Sequence, residues 1–318
     1  MQPMMVMMAA VVPVVAVLLL GRVLAKGGLL SPVGAAELNR LVYWVGLPAQ
    51  LLLSVADADL RQAFDGWALL AAGLAFAAVL GLTLVLSSRR SPAERGSLVS
   101  GAARANAAYI GLPIIVLAAQ ALPAEVGAHL VPTYTVILAF MVPLFNLGSV
   151  LGFVVPQHGL SAGGVRQTLR ALPRNPLILA CVAGMALSWW APGVLRGNVV
   201  ATTMELLAHA ALPLALLVTG AALDLAKLRA ATGLLLFAAS GKLILAPALT
   251  AALAWAWGAS PTGIITATIL MACPSAVASV PMARQLGGDE ALMAAQVVLT
   301  TLLAPITLIL WMTFLLSQ

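Results

Sequence analysis

Apolar residues run along this chain in stretches near twenty long, separated by short clusters of charge, and strand-like alternation is absent. Stretches of that length predict helices that cross a bilayer, and the missing alternation argues against a β-barrel. Ten spans are read: residues 4–24, 41–56, 67–86, 101–120, 130–155, 176–190, 204–223, 233–257, 263–283 and 291–316. Two of them are interrupted. The fourth reads GAARANAAYIGLPIIVLAAQ from Gly101 to Gln120, with Arg104, Asn106, Tyr109 and a Gly111-Leu112-Pro113 break. Around the ninth, Thr266 to Gln285 reads TATILMACPSAVASVPMARQ, and Pro274 and Pro281 repeat the seven-residue spacing of Asn106 and Pro113. Two broken, polar-tipped spans in corresponding halves point to a transporter's binding site.

Loop charge tests the span count. With connections after odd spans on one side, that side receives fourteen of the sixteen Lys and Arg residues, leaving only Arg61 and Arg196 opposite. By the positive-inside rule the odd connections are cytoplasmic and both termini face outward. Arg104 and Lys242 are counted among the fourteen, each early in its span.

The halves also resemble each other. LPAQLLLSVADADL from Leu47 to Leu60 matches LPLALLVTGAALDL from Leu212 to Leu225, with Pro48 on Pro213 and Asp59 on Asp224 at an offset of 165 residues. Asn106 and Pro113 fall on Pro274 and Pro281 at 168. Five spans per half is an odd number, so the halves, residues 1–157 and 158–318, cross in opposite directions as an inverted repeat.

Composition agrees. The chain is 62% hydrophobic and 8% charged, against about 25% charged in soluble domains, which predicts an all-α polytopic membrane protein. The net charge of +6 is read as topology signal, so no nucleic-acid partner is expected. The first apolar run has no basic residue before it and is taken as a span, not a cleaved leader. Cys181 and Cys273 are expected as free buried thiols. No GxxxxGK[ST] loop and no HExxH sequence occurs, and His129, His158 and His209 form no metal spacing. No ATP motor, cofactor, metal or enzymatic activity is expected.

The candidate chemistry gathers at the breaks. A break frees backbone groups that lipid cannot satisfy, so protein, water or ligand must supply partners. Half-helices ending there offer partial charges that suit an anionic head group. Asn106 both donates and accepts, and Ser275 and Ser279 bring hydroxyls. The substrate-binding set is Asn106, Tyr109, Gly111, Pro113, Cys273, Pro274, Ser275 and Ser279. Arg104 reads either as a functional buried charge or as a snorkelling one, and Lys242 first as snorkelling. Ser275 and Ser279 also read as back-bonding to their own helix. Asp59 and Asp224 are gate or helix-end residues first and proton carriers second. Glu205 and His209, one turn apart, read as an outer-interface pair that could titrate. Gln120, Asn146 and Gln296 either line the pathway or glue helices together.

At these residues the chain resembles the auxin efflux carrier family, in particular its bacterial members. Asn106-Ala-Ala-Tyr-Ile-Gly111-Leu-Pro113 is similar to the family's Asn-x-x-x-x-Gly-x-Pro stretch. Cys273-Pro274-Ser-Ala with Gly287-Gly288-Asp289 resembles the second crossover and its trailing loop. Asn175-Pro176 and Leu212-Pro213 match as well, and the resemblance covers essentially the whole chain. It implies ten transmembrane helices in two inverted five-helix repeats, with broken fourth and ninth helices crossing. It also implies a scaffold of the first, second, sixth and seventh spans and a transport domain of the others. The implied activity is elevator-type transport of a small organic anion, auxin in plants and malate- or malonate-like carboxylates in bacteria. The implied location is the bacterial inner membrane, with a homodimer as partner state. A sodium-coupled bile acid carrier shares the architecture, so a sodium symporter of a bile-acid-like or pantoate-like acid is the first alternative. A membrane sensor that binds without translocating is the second. Cys273 stands where plant relatives carry a polar amide.

Overall fold

The computed structural model describes residues 3–57, 63–158, 176–191, 193–195, 197–224, 226 and 233–318. In chain order α1 (Pro3–Lys26) is followed by α2 (Pro32–Leu41), a π turn (Val42–Gly46) and α3 (Leu47–Ala56). Next, α4 (Gly66–Leu86) leads to α5 (Pro92–Ala103), a second π turn (Ala107–Gly111), α6 (Leu112–Ala121) and the long α7 (Ala124–His158). Then come α8 (Pro176–Trp190), α9 (Val199–Ala221), α10 (Gly233–Ser240), a third π turn (Gly241–Leu245) and α11 (Ala246–Ala256). The chain ends in α12 (Pro261–Ala272), α13 (Ser279–Gln285) and α14 (Glu290–Leu316). Six helical runs are long and apolar enough to cross a membrane: α1, α4, α7, α9, the run from α10 through α11, and α14. Residues 107–121, α8 and α12 are shorter apolar helices. The strand-like pairing among the described residues is one isolated antiparallel bridge, Ala105 to Ser275.

Local sequence sets the helix starts. Ser31-Pro32, Ser91-Pro92 and Ser260-Pro261 each open a helix, the serine hydroxyl accepting from the backbone three residues on. The serine satisfies an orphan N–H, and the proline occupies the first turn, where its missing N–H is harmless. Proline also explains the π turns. Each ends one residue before a Leu-Pro or Ala-Pro dipeptide, at Pro48, Pro113 and Pro247. A proline within a continuing helix cannot bond to the carbonyl four residues back and crowds it, so the preceding turn widens. Accordingly the Leu47 and Ala246 N–H groups reach back five residues, to the Val42 and Gly241 carbonyls. At the third turn the carbonyl that Pro247 leaves free, Leu243 O, accepts instead from Trp311 Nε1 at 3.0 Å. Hydrocarbon would offer it nothing.

The chain forms two compact units. One comprises Met1–Asp65, Ala108–Ala139 and Pro173–Leu223. Within it α1 packs on α9 and α6, and α3 on α8. The α1–α9 approach depends on paired glycines: a Cβ at Gly21 would collide with the Leu217 carbonyl, and one at Gly220 with the Leu18 carbonyl. Small residues that let backbones touch drive helix association where lipid removes any hydrophobic gain.

The other unit comprises Gly66–Ala107, Phe140–Leu172 and Asp224–Gln318. Its centre is α12, buried at every position from Gly263 to Ala272 and packed by α4, α11 and α14. The last eight residues of α5, Gly96 to Ala103, are equally enclosed. At twelve residues each, α5 and α12 are about 18 Å long, roughly half the hydrocarbon thickness.

The fourth span departs most from the sequence reading. Its helix starts at Pro92, and the backbone opens at Arg104–Asn106, ahead of Gly111-Leu112-Pro113, which only widens the helix. The earlier start carries Glu94 and Arg95 into the helix because both are used locally. Glu94 completes a capping box with Ser91, and the Arg95 guanidinium donates to the Leu84 carbonyl at 3.2 and 2.9 Å, capping α4. Arg104 is therefore the C-cap of α5 and does not start a helix, and Lys242 lies in the middle of its helical run.

Candidate functional site

Two half-helices end facing each other inside the second unit. Asn106 N donates to Pro274 O at 2.7 Å, and Ala276 N donates to Arg104 O at 3.1 Å, the reciprocal pair that makes the Ala105–Ser275 bridge. Each break thereby satisfies part of the backbone that the other exposes.

The remaining helix-end carbonyls are held from both sides. In α5, Ser100 O accepts from Arg104 N at 3.0 Å, and Gly101 O accepts from the Ser275 hydroxyl at 2.6 Å. In α12, Ile269 O accepts from the Cys273 thiol at 3.2 Å, and Met271 O from Lys242 Nζ at 3.1 Å. Thr300 of α14 accepts from Ser275 N at 3.1 Å. These bonds answer the orphan groups that every helix terminus carries. They also use up Ser275, whose N–H and hydroxyl are both committed to holding the break. Ser275 bonds to α5 and not to its own helix.

What is left over is more informative. Asn106 is 7% exposed and its Nδ2 has no hydrogen-bond partner. Ser279 Oγ is also buried without one, as are both amide atoms of Gln296. The Gln296 side chain lies against Gly101, where a Cβ would overlap it. Buried polar groups in native proteins are normally paired, and each exception calls for an explanation.

The eight residues expected to bind substrate divide. Asn106, Cys273, Pro274, Ser275 and Ser279 come together in the second unit, with Arg104 half-buried beside them and its Nη1 2.6 Å from Met282 Sδ. Tyr109, Gly111 and Pro113 belong to the first unit. There Tyr109 OH donates to Asn39 Oδ1 of α2 at 2.9 Å, while Gly111 and Pro113 form the start of α6. The second break differs from a simple kinked helix, because α13 is only seven residues and lacks a side-chain cap.

Of the candidate coupling or gating residues, Arg104 stands at the break as the C-cap of α5. Glu205 and His209 are exposed on α9, and the half-buried Asp224 accepts from Ala226 N at 3.2 Å. Asp59 lies outside the described residues. Gln120 is exposed and Asn146 half-buried. Among the described residues no three His, Cys, Asp or Glu side chains are grouped to hold a metal.

Two contributors are not singled out from sequence: Asn39 and Thr300. A threonine in an apolar helix carries no local mark of the partner it will meet. Lys242 corrects an expectation outright. It was read as snorkelling, but it is 0% exposed, because the π turn that carries it is enclosed by α4, α5, α12 and α14.

A search of curated protein sequences returned no match. A family model described as membrane transport protein matches residues 6–149 and 165–312, nearly the whole chain in two blocks. With the long apolar helices, this makes the protein a multi-pass membrane transporter. The chain belongs to the membrane transport protein family, the auxin efflux carrier-like transporters.

Proposed function

We propose that the protein is a secondary transporter for a small organic anion with a carboxylate head. The observation that carries this reading is the unpartnered Asn106 amide beside the Asn106–Pro274 bond. A buried amide donor with no protein acceptor fits a carboxylate oxygen. The half-helices that end there, α5 and α12, do so with their carbonyl ends, which favour cations, so the anion's attraction is to the amide donor and not to the helix dipoles.

The same reading takes the chain as ten spans in two inverted repeats, with both termini outside. In its favour, the two residues related by the 168-residue offset, Asn106 and Pro274, are the two that bond to each other. A pseudo-two-fold axis passing between them would produce that pairing. An inverted repeat gives a carrier two exchangeable states, and elevator-type movement of a transport domain past a scaffold is the form that the family resemblance implies. The bacterial inner membrane and a homodimer are part of the same proposal.

Uptake in proteoliposomes tests it. A panel of labelled small carboxylates should include at least one that wild type accumulates and Asn106→Ala does not. Equal uptake by Asn106→Ala would remove the crossing from the transport path.

A further inference from the structure

Lys242 is the one formally charged side chain among the fully buried residues described. Its Nζ donates to Met271 O at 3.1 Å and stands 5.9 Å from the centre of the Phe145 ring. Cys273, at the C-cap of the same helix as Met271, is close enough to interact with it electrostatically. All three neighbours belong to the second unit. They are the surroundings of a cation: the negative end of a half-helix dipole and the face of an aromatic ring. None of them carries a full negative charge, and no carboxylate pairs with Lys242 among the described residues. An ammonium has three N–H donors, of which Met271 takes one.

A charge buried this completely is strongly unfavourable unless an opposite charge accompanies it. We propose that Lys242 is the anion-binding group of this carrier, and that the carboxylate head of the substrate is its counter-ion. The inference rests on the carboxylate reading above and adds the residue that selects the charge. Met271 and Pro274 are three residues apart, at most about 10 Å of chain. The ammonium and the Asn106–Pro274 bond are therefore within reach of one small organic acid. The bound acid neutralises the ammonium and fills its open donors, whereas a neutral isostere leaves the charge unpaired. Selection between acid and amide follows from that difference.

Thermal unfolding of the purified protein tests this, using short aliphatic, aromatic and two-headed carboxylates, each beside its neutral amide. Wild type should be stabilised by at least one acid and not by the matching amide. Lys242→Met removes an uncompensated charge but also the donor to Met271 O, two opposed effects on ligand-free stability, and should bind that acid about tenfold or more weakly. Retained acid binding in Lys242→Met overturns the proposal. Lys242→Gln provides the same comparison should the methionine variant not fold. Asn106→Ala separates the two levels. If it loses the acid and Lys242→Met keeps it, the carboxylate site stands and Lys242 is not its charge. If wild type responds to no acid, or equally to the amides, both readings fall.

Discussion

The Asn106 amide N–H donates to the Pro274 carbonyl at 2.7 Å, joining two residues that stand in separate interrupted helices. Neither interruption would be tolerable in hydrocarbon alone, because the freed backbone groups have no water to turn to. Together they form a short bridge that Thr300 of α14 also holds, and the Asn106 amide beside it keeps an unpaired donor.

Ser275 and Asn106 should separate structure from function. Ser275→Ala leaves the buried Gly101 carbonyl without its 2.6 Å partner and should cost about 1–3 kcal/mol of stability. Asn106→Ala removes an amide whose Nδ2 has no partner and should cost less than about 1 kcal/mol, while transport is lost. Unfolding in detergent beside liposome uptake reads both effects.

Trp311→Phe should destabilise by about 1–3 kcal/mol, since Leu243 O then has no donor. Adding Pro247→Ala restores an N–H four residues along, and the double variant should recover part of the loss. A double-mutant cycle in thermal or denaturant unfolding measures that coupling, expected near 1 kcal/mol. Simple additivity would show that the proline is not what frees the carbonyl.

Gly220→Val should push α9 off α1, because any Cβ there meets the Leu18 carbonyl. Backbone cannot move aside as a side chain can, so a loss of about 1–3 kcal/mol or more is expected. Gly21→Val should behave alike, and the pair should be less than additive. Melting temperatures of the three variants decide it.

The start of α14 carries two polar contacts of different worth. Asp289→Ala removes the cap on Leu292 N, 2.9 Å away, and should cost about 1 kcal/mol. Arg284→Ala breaks a pair with Glu290 that raises the Arg284 pKa through a direct hydrogen bond. The arginine is fully exposed, however, and the change should be silent in the same unfolding assay.

Much of the fold was legible because its causes are local. Apolar run length located the helices, with α8 read at its observed bounds and α14 within a residue. The second break lies at Cys273-Pro274 where the proline marks it, whereas the first, read at Gly111-Leu112-Pro113, opens instead at Arg104–Asn106, since a proline within a continuing helix only widens it. The charges misled. Arg95 reads as a loop residue and Lys242 first as a snorkelling one, while Arg104 stays open between a functional buried charge and a snorkelling one, because a span pattern records that a charge is present and not what it faces. In the structure Arg95 caps α4, Arg104 ends α5, and Lys242 turns inward.

By itself the sequence determined a membrane transporter built of long apolar helices, two of them broken at identifiable places. Hydropathy, proline and serine caps act over one or two helical turns, so a linear pattern suffices to read them. Only the tertiary structure decided that the breaks bond to each other, that Ser275 serves backbone while Asn106 keeps an unpaired donor, and that Lys242 is enclosed with no carboxylate paired to it among the described residues. Those outcomes depend on which group stands opposite which, from 29 residues apart at Lys242–Met271 to 174 at Gly101–Ser275. Packing settles that, and no local pattern contains it.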